Sequence, residues 1–184
     1  MAIWNYRAEL IPRAWIIREY GGIPPVLDQE ESLDVALDRN PNLLNEVQAS
    51  RWEGMYCPSD FILRAEAILP ATKKTNSFVC CGSPGSHRIE LWIQDALPDL
   101  LEIKLDLRQP NLELFERIVE YAHYLDALIV PDDRYTAVHS SMESLLADLL
   151  LSRAYKFCKD PHGWLAEFAA QNEAKTHKNT KGDG

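Results

Sequence analysis

The stretch CCGSPGSHRIELWIQ, residues 80–94, gathers the side chains best suited to chemistry. Cys80, Cys81, Ser83 and Ser86 are possible nucleophiles and His87 a nearby base, so a thiol enzyme or small hydrolase would be built here. Such a site needs the base within hydrogen-bond reach of the nucleophile and a third group behind it. Neighbours along a hairpin rarely supply this, and the chain has no Gly-x-Ser-x-Gly elbow. A phosphate cradle at Gly82 to Ser86 would have to run from a strand into a helix N-terminus, whereas this loop leads into an alternating run. Cys80 and Cys81 lack CxxC spacing and, as strand neighbours, point to opposite faces. Glu120 and His123 form a Glu-x-x-His pair with Glu116 one turn earlier, but di-iron chemistry needs a second copy, and the sequence has none. That face of the helix is expected to be solvated. Asp95, Asp99, Glu102 and Asp106 offer carboxylates for acid/base work, yet charges at alternate strand positions usually mark a wet face. No catalytic residue, cofactor or metal is expected.

The elements that would position these residues follow from periodicity. LIPRAWIIREYGGIPP suggests a short helix with Pro12 in its first turn and Gly21 as its stop, with a strand at Trp15 to Arg18 as the rival. Residues 28–50 are expected to form an acidic loop with short helices, broken at Asn40-Pro41. CPSDFILRAEAILP predicts a helix capped by Ser59 or Asp60, with Ile62, Ala65, Ile68 and Leu69 as its apolar stripe. The period then changes to two. Residues 77–81 form one strand, Ile89, Leu91 and Ile93 mark a second, and Ile103, Leu105 and Leu107 a third. GSPGS closes the first hairpin, with Pro84-Gly85 in a type II turn. A helix follows, with Leu112, Phe115, Ile118, Val119, Ala122 and Leu125 on one side, and then an uncharged strand, Ala127 to Val130, parallel to an earlier strand. Ser140 and Glu143 predict a capping box for a helix over MESLLADLLLSRAYKF, and Asp160-Pro161 the start of a last helix. The fold class is α+β: an antiparallel meander of three strands plus a fourth after a crossover helix, flanked by N-terminal and C-terminal helices.

The 184 residues suit one domain over 1–172, followed by a polar tail, 173–184, expected to fray into solvent. The net charge of −9 weighs against nucleic acid as a partner and favours a basic protein. No apolar run reaches membrane-helix length, and MAIWNYRAEL breaks the apolar stretch a signal peptide needs. Four scattered cysteines read as reduced thiols, so a cytoplasmic setting is expected.

Alternation puts Trp92 on the polar face of the sheet with Glu90, Gln94, Glu102, Lys104, Asp106 and Arg108. An aromatic anchor within a charged rim is the composition of a protein-binding surface. The candidate partner-binding residues are Trp92, Glu90, Glu102 and Asp106, with Glu30, Glu31 and Asp34 as a second acidic patch. The competing expectation is that a helix from the first half covers this face and makes Trp92 core.

PRAWIIREYGGIP, the Trp-Glu-Gly at 52–54, the hairpin from Cys80 to Gln109 and SRAYKFCKDPHGWL together resemble a group of small, uncharacterised acidic bacterial α+β proteins. The strand those proteins write as R-x-D-x-R reads Lys104, Asp106, Arg108 here, and Cys81-Gly82 stands where they often carry Trp-Gly. The resemblance spans residues 10–168 and implies no catalytic residue. Members of that kind are similar in size and charge to immunity proteins that neutralise bacterial toxins. The function expected from the residues is that of a non-enzymatic protein-binding module, in concrete form an immunity protein that occludes the active site of a basic toxin, with a small hydrolase or thiol enzyme using the Cys80, Cys81 and His87 region, or a scaffold subunit of a larger complex, as alternatives.

Overall fold

The computed structural model describes residues 4–27 and 50–166. Glu30, Glu31, Asp34 and the tail 173–184 lie outside the described residues. The chain opens on strand β1 (Asn5–Pro12), where Tyr6, Ala8 and Leu10 are buried and Arg7 and Glu9 are half-buried. Pro12 ends the strand and precedes helix α1 (Arg13–Tyr20). A proline fits there because the first turn of a helix has no intrahelical use for its N–H. The expected helix therefore stands, while the rival strand at Trp15 to Arg18 does not; the strand lies just upstream. Gly21 closes α1 at φ 71°.

Helix α2 (Phe61–Ile68), strands β2 (Ala71–Lys74), β3 (Phe78–Gly82), β4 (Arg88–Gln94) and β5 (Leu97–Asp106), helix α3 (Leu112–Tyr124) and strand β6 (Ala127–Pro131) follow. Helices α4 (Met142–Leu151) and α5 (Arg153–Lys159) come next, and 161–166 are helical. The fold is α+β. One six-stranded sheet runs β2-β3-β4-β5-β1-β6, with every neighbouring pair antiparallel. The meander β3-β4-β5 and the late strand β6 are the four expected; β1 and the edge strand β2 are additional. Because β5 and β6 each run antiparallel to β1, they are parallel to one another with β1 wedged between them.

One sheet face carries the main core. Tyr6, Ala8, Leu10, Val79, Cys81, Ile89, Leu91, Leu101, Ile103, Leu105 and Ile129 pack against Phe61 and Ala65 of α2, Phe115, Ile118 and Ala122 of α3, and Leu145 and Leu149 of α4. Helix α3 buries Leu114 and Tyr121 as well as the expected stripe, and leaves its first residue, Leu112, exposed. Glu116, Glu120 and His123 face solvent.

Two local expectations shift, and the β4-β5 turn is new. The Ser83 to Ser86 turn closes with Ser86 N–H on the Ser83 carbonyl at 3.1 Å, but Gly85 is not left-handed as a type II turn requires. The left-handed residue is Gly82, at φ 92°, where a Cβ would stand 2.3 Å from the His87 carbonyl oxygen. The β4-β5 connection is a two-residue hairpin in which Asp95 and Ala96 both have positive φ, 51° and 63°, the signature of a type I′ turn. The cap of α4 is Ser141, whose hydroxyl accepts from Ser144 N–H, one residue after the expected Ser140. Ser140 instead donates to the Ala127 carbonyl, and Ser152 ends α4 and caps α5.

Leu10 is fully buried on the inserted strand, whereas Leu63 is 64% exposed on α2. Leu10→Ala should cost about 2–5 kcal/mol in urea denaturation. Leu63→Ala should stay within about 0.5 kcal/mol of the parent.

Candidate protein-binding face

The other face of the sheet is ordered by charge. Three adjacent strands each carry one base and one acid two residues apart: Arg88 and Glu90 on β4, Lys104 and Glu102 on β5, Arg7 and Glu9 on β1. Antiparallel register sets Glu90, Glu102 and Glu9 side by side in one row, and Arg88, Lys104 and Arg7 in the next. Like charges directly opposite one another are unfavourable, so each row needs the other beside it. Arg7 reaches Glu102 diagonally at 3.6 Å and Arg88 reaches Glu90 at 2.7 Å, while Arg51 pairs with Glu9 and lies over the Trp15 ring.

The central member of each row carries a perturbed pKa. Burial raises the Glu102 pKa, Glu90 adds to the rise and Arg7 offsets part of it. Burial lowers Lys104, and Arg88 and Arg7 lower it further.

The two ends of this charged ladder differ. At the β1-β6 end, Ile16 of α1 packs with Ile11, Leu27, Leu128 and Val130 into a second apolar cluster. At the β3-β4 end Trp92 is 45% exposed, its ring 4.6 Å from that of Phe78, with Lys73 Nζ 5.4 Å from the Phe78 centroid. Trp92 stands opposite Phe78 on one side and Leu100 on the other. A helix from the first half thus covers one end of the face, and among the described residues Trp92 remains open.

The structure brings together three of the expected site residues. Glu90 lies two positions from Trp92 on β4, and Glu102 lies directly across from Glu90. Asp106 does not join them. It is 2% exposed and six residues along β5 from Trp92's partner Leu100, about 20 Å away at strand rise. Its carboxylate is held by Arg108 Nη2 at 2.6 Å, which lowers its pKa. Arg108 in turn lies over Trp4, and the Asp106 N–H donates to His87 Nδ1 at 3.1 Å. The sequence reasoning missed Arg7 and Glu9; the base-x-acid spacing repeated on three segments was the available signal.

Both ring nitrogens of His87 are bonded to backbone groups rather than to a thiol. All four cysteines are free. Cys80 and Cys81 are buried, and burial pushes Cys81 and Cys57 up to about 11. His87 is engaged at both ring nitrogens, Nδ1 as acceptor and Nε2 with the Gln109 carbonyl at 2.9 Å. Among the described residues no three His, Cys, Asp or Glu side chains converge as a metal site, and no helix is long and apolar enough to cross a membrane. No family model, curated protein or solved structure matches the chain.

Two measurements follow from these environments. A pKa near 11 leaves about 0.1% thiolate at pH 8, so Cys57 and Cys81 should react slowly with an aromatic disulfide in the native protein and promptly in denaturant. A thiol that reacts rapidly in the folded state would return attention to the His87 region. The two carboxylates should give opposite pH signatures in thermal melts. Glu102, raised in the folded state, contributes stability at acid pH that fades as pH rises above about 4.3, so Glu102→Gln should gain on the parent toward neutrality. Asp106, lowered in the folded state, contributes at neutral pH and loses that contribution as pH falls below about 3.9, so the deficit of Asp106→Asn should shrink in acid.

Proposed function

We propose that this chain is a non-enzymatic protein-binding module whose partner is a basic protein. The observation that carries the proposal is the Trp92-Phe78 platform, an exposed tryptophan packed on a half-buried phenylalanine at the open end of the sheet, beside the half-buried row of Glu90 and Glu102. Large, rigid aromatic side chains dominate binding energy at protein interfaces, and the charges around them set register and orientation. The net charge of −9 supports a basic partner by long-range attraction.

The concrete form is an immunity-type neutraliser of a basic bacterial toxin, acting in the cytoplasm. Acidic groups would steer the toxin inward, and the aromatic patch would occlude its active site. The burial of the thiols and the double engagement of His87 favour this over a thiol enzyme.

The test is affinity capture with the tagged full chain at low and then moderate salt, followed by titration of the captured partner. A stoichiometric basic partner whose capture weakens with salt is expected. Trp92→Ala should then weaken binding by about 2 kcal/mol or more, roughly thirtyfold, with the melting temperature unchanged. No stoichiometric partner at either salt, or a Trp92→Ala variant that binds as well as the parent, would overturn the proposal.

A further inference from the structure

A second feature lies past the covered end of the ladder. A cavity of about 420 Å³ opens beside the loop after β6, lined by Asp132, Asp133, Arg134, Tyr135 and Arg153, with Val26 and Leu27 as an apolar wall. That volume falls within the range of small-molecule sites.

The loop is held in a fixed and costly shape. Tyr135 has φ 56°, a left-handed conformation uncommon for a bulky residue and often kept where function requires it. Its N–H donates to the Pro131 carbonyl at 2.9 Å, and its own carbonyl accepts from Leu27 N–H at 2.8 Å. Beneath the loop, buried Asp148 accepts from Tyr6 Oη at 2.8 Å, Arg134 Nη2 at 2.5 Å and Thr136 Oγ1 at 3.2 Å. Asp133 Oδ2 accepts from Arg153 N–H at 3.1 Å and Arg134 Nη1 at 3.2 Å. The supporting side chains are therefore locked in place before any ligand arrives.

Two polar atoms on the lining residues are left over. Asp133 Oδ1 and Arg134 Nε are buried, with no hydrogen-bond partner among the described residues. One is an acceptor and the other a donor. The charges of the lining are likewise mixed, since Asp132 and Asp133 share it with Arg134 and Arg153. Although Asp132 as a residue is exposed, desolvation beside the loop raises its carboxyl pKa, and Arg7 and Arg153 offset only part of the rise, so a cation drawn close would relieve it.

We propose that this cavity binds a small zwitterion of the α-amino-acid class, with its ammonium against Asp132 and Asp133 and its carboxylate against Arg153. Val26, Leu27 and the Tyr135 ring then face a short aliphatic side chain. A simple anion would meet the two aspartates, and a simple cation the two arginines, so neither matches the lining as a zwitterion does.

The test is an amide NMR titration of the full chain with L-leucine, L-leucinamide, which lacks the carboxylate, and 4-methylpentanoate, which lacks the ammonium. Leucine should give saturating shifts at Leu27 and at Asp132 to Tyr135, with each analogue about tenfold weaker or worse. Asp132→Asn and Arg153→Gln, at exposed positions, should each weaken leucine binding to a similar degree without altering the rest of the spectrum. The proposal is overturned if millimolar leucine moves none of these amides, if either analogue binds as well as leucine, or if both variants bind like the parent. The outcome is independent of whether Trp92 engages a protein partner.

Discussion

The architecture depends on the insertion of β1. A strand from the first dozen residues sits between β5 and β6, both from the second half of the chain, so the sheet is continuous only once its two ends have met. Without β1, β6 would have no ladder partner among the described residues except the short bridge between Ile129 and Val138. The insertion is fixed from both faces. On the core side Tyr6 donates to buried Asp148 of α4, across 142 residues of sequence. On the other side Ile11 meets Ile16, Leu128 and Val130. Contacts of such long range carry a higher loop-closure cost than those of the local β3-β4-β5 meander.

The same insertion creates the charged ladder. Strands β4 and β5 alone would align Glu90 with Glu102 and Arg88 with Lys104; β1 adds Glu9 and Arg7 as third members. Each row taken alone is a like-charge array, and the rows are tolerable only as a pair. Desolvated ion pairs contribute little net stability compared with apolar packing, whereas breaking one partner is costly. A one-residue slip of β1 is excluded because it would send Arg7 and Glu9 into the core and turn Tyr6, Ala8 and Leu10 outward. At the centre of the two rows burial raises the Glu102 pKa and lowers that of Lys104, and the like charges beside each add to the shift.

Much of the fold was legible where one periodicity dominated. Helix α3, helix α2 and the meander follow from a single apolar stripe or clean alternation, and Trp92 was placed on the polar face by counting alone. Strand β1 was hidden because its run is short and ends at Pro12, whose signal belongs equally to the helix that follows. Strand β2, ATKK, has all four residues exposed and no apolar pattern at all. The Asp95-Ala96 turn lacks the Asn-Gly chemistry that announces positive φ. Asp106 was misplaced for a different reason. Alternation gives the side a residue leaves from but not what folds over it, and here His87 and Arg108, separated by 21 positions, close over the strand end.

Pairing across strands is also why the site could be guessed only in part. Glu90 and Glu102 were expected near Trp92, but their direct opposition and their dependence on Arg7 and Arg88 are properties of register. Register also explains why aromatic platform and cavity occupy opposite ends of one ladder. The basic row runs from Arg88 through Lys104 to Arg7, whose carbonyl accepts from Asp132 N–H at the wall of the cavity. Trp92 stands past the Glu90 end of the parallel acidic row. Arg7 is the shared element, bonded to Glu102 on one side and acting on the Asp132 carboxyl on the other. Asp132 and Arg7 thus act on the same Glu102 carboxyl in opposite senses, Asp132 raising its pKa and Arg7 lowering it.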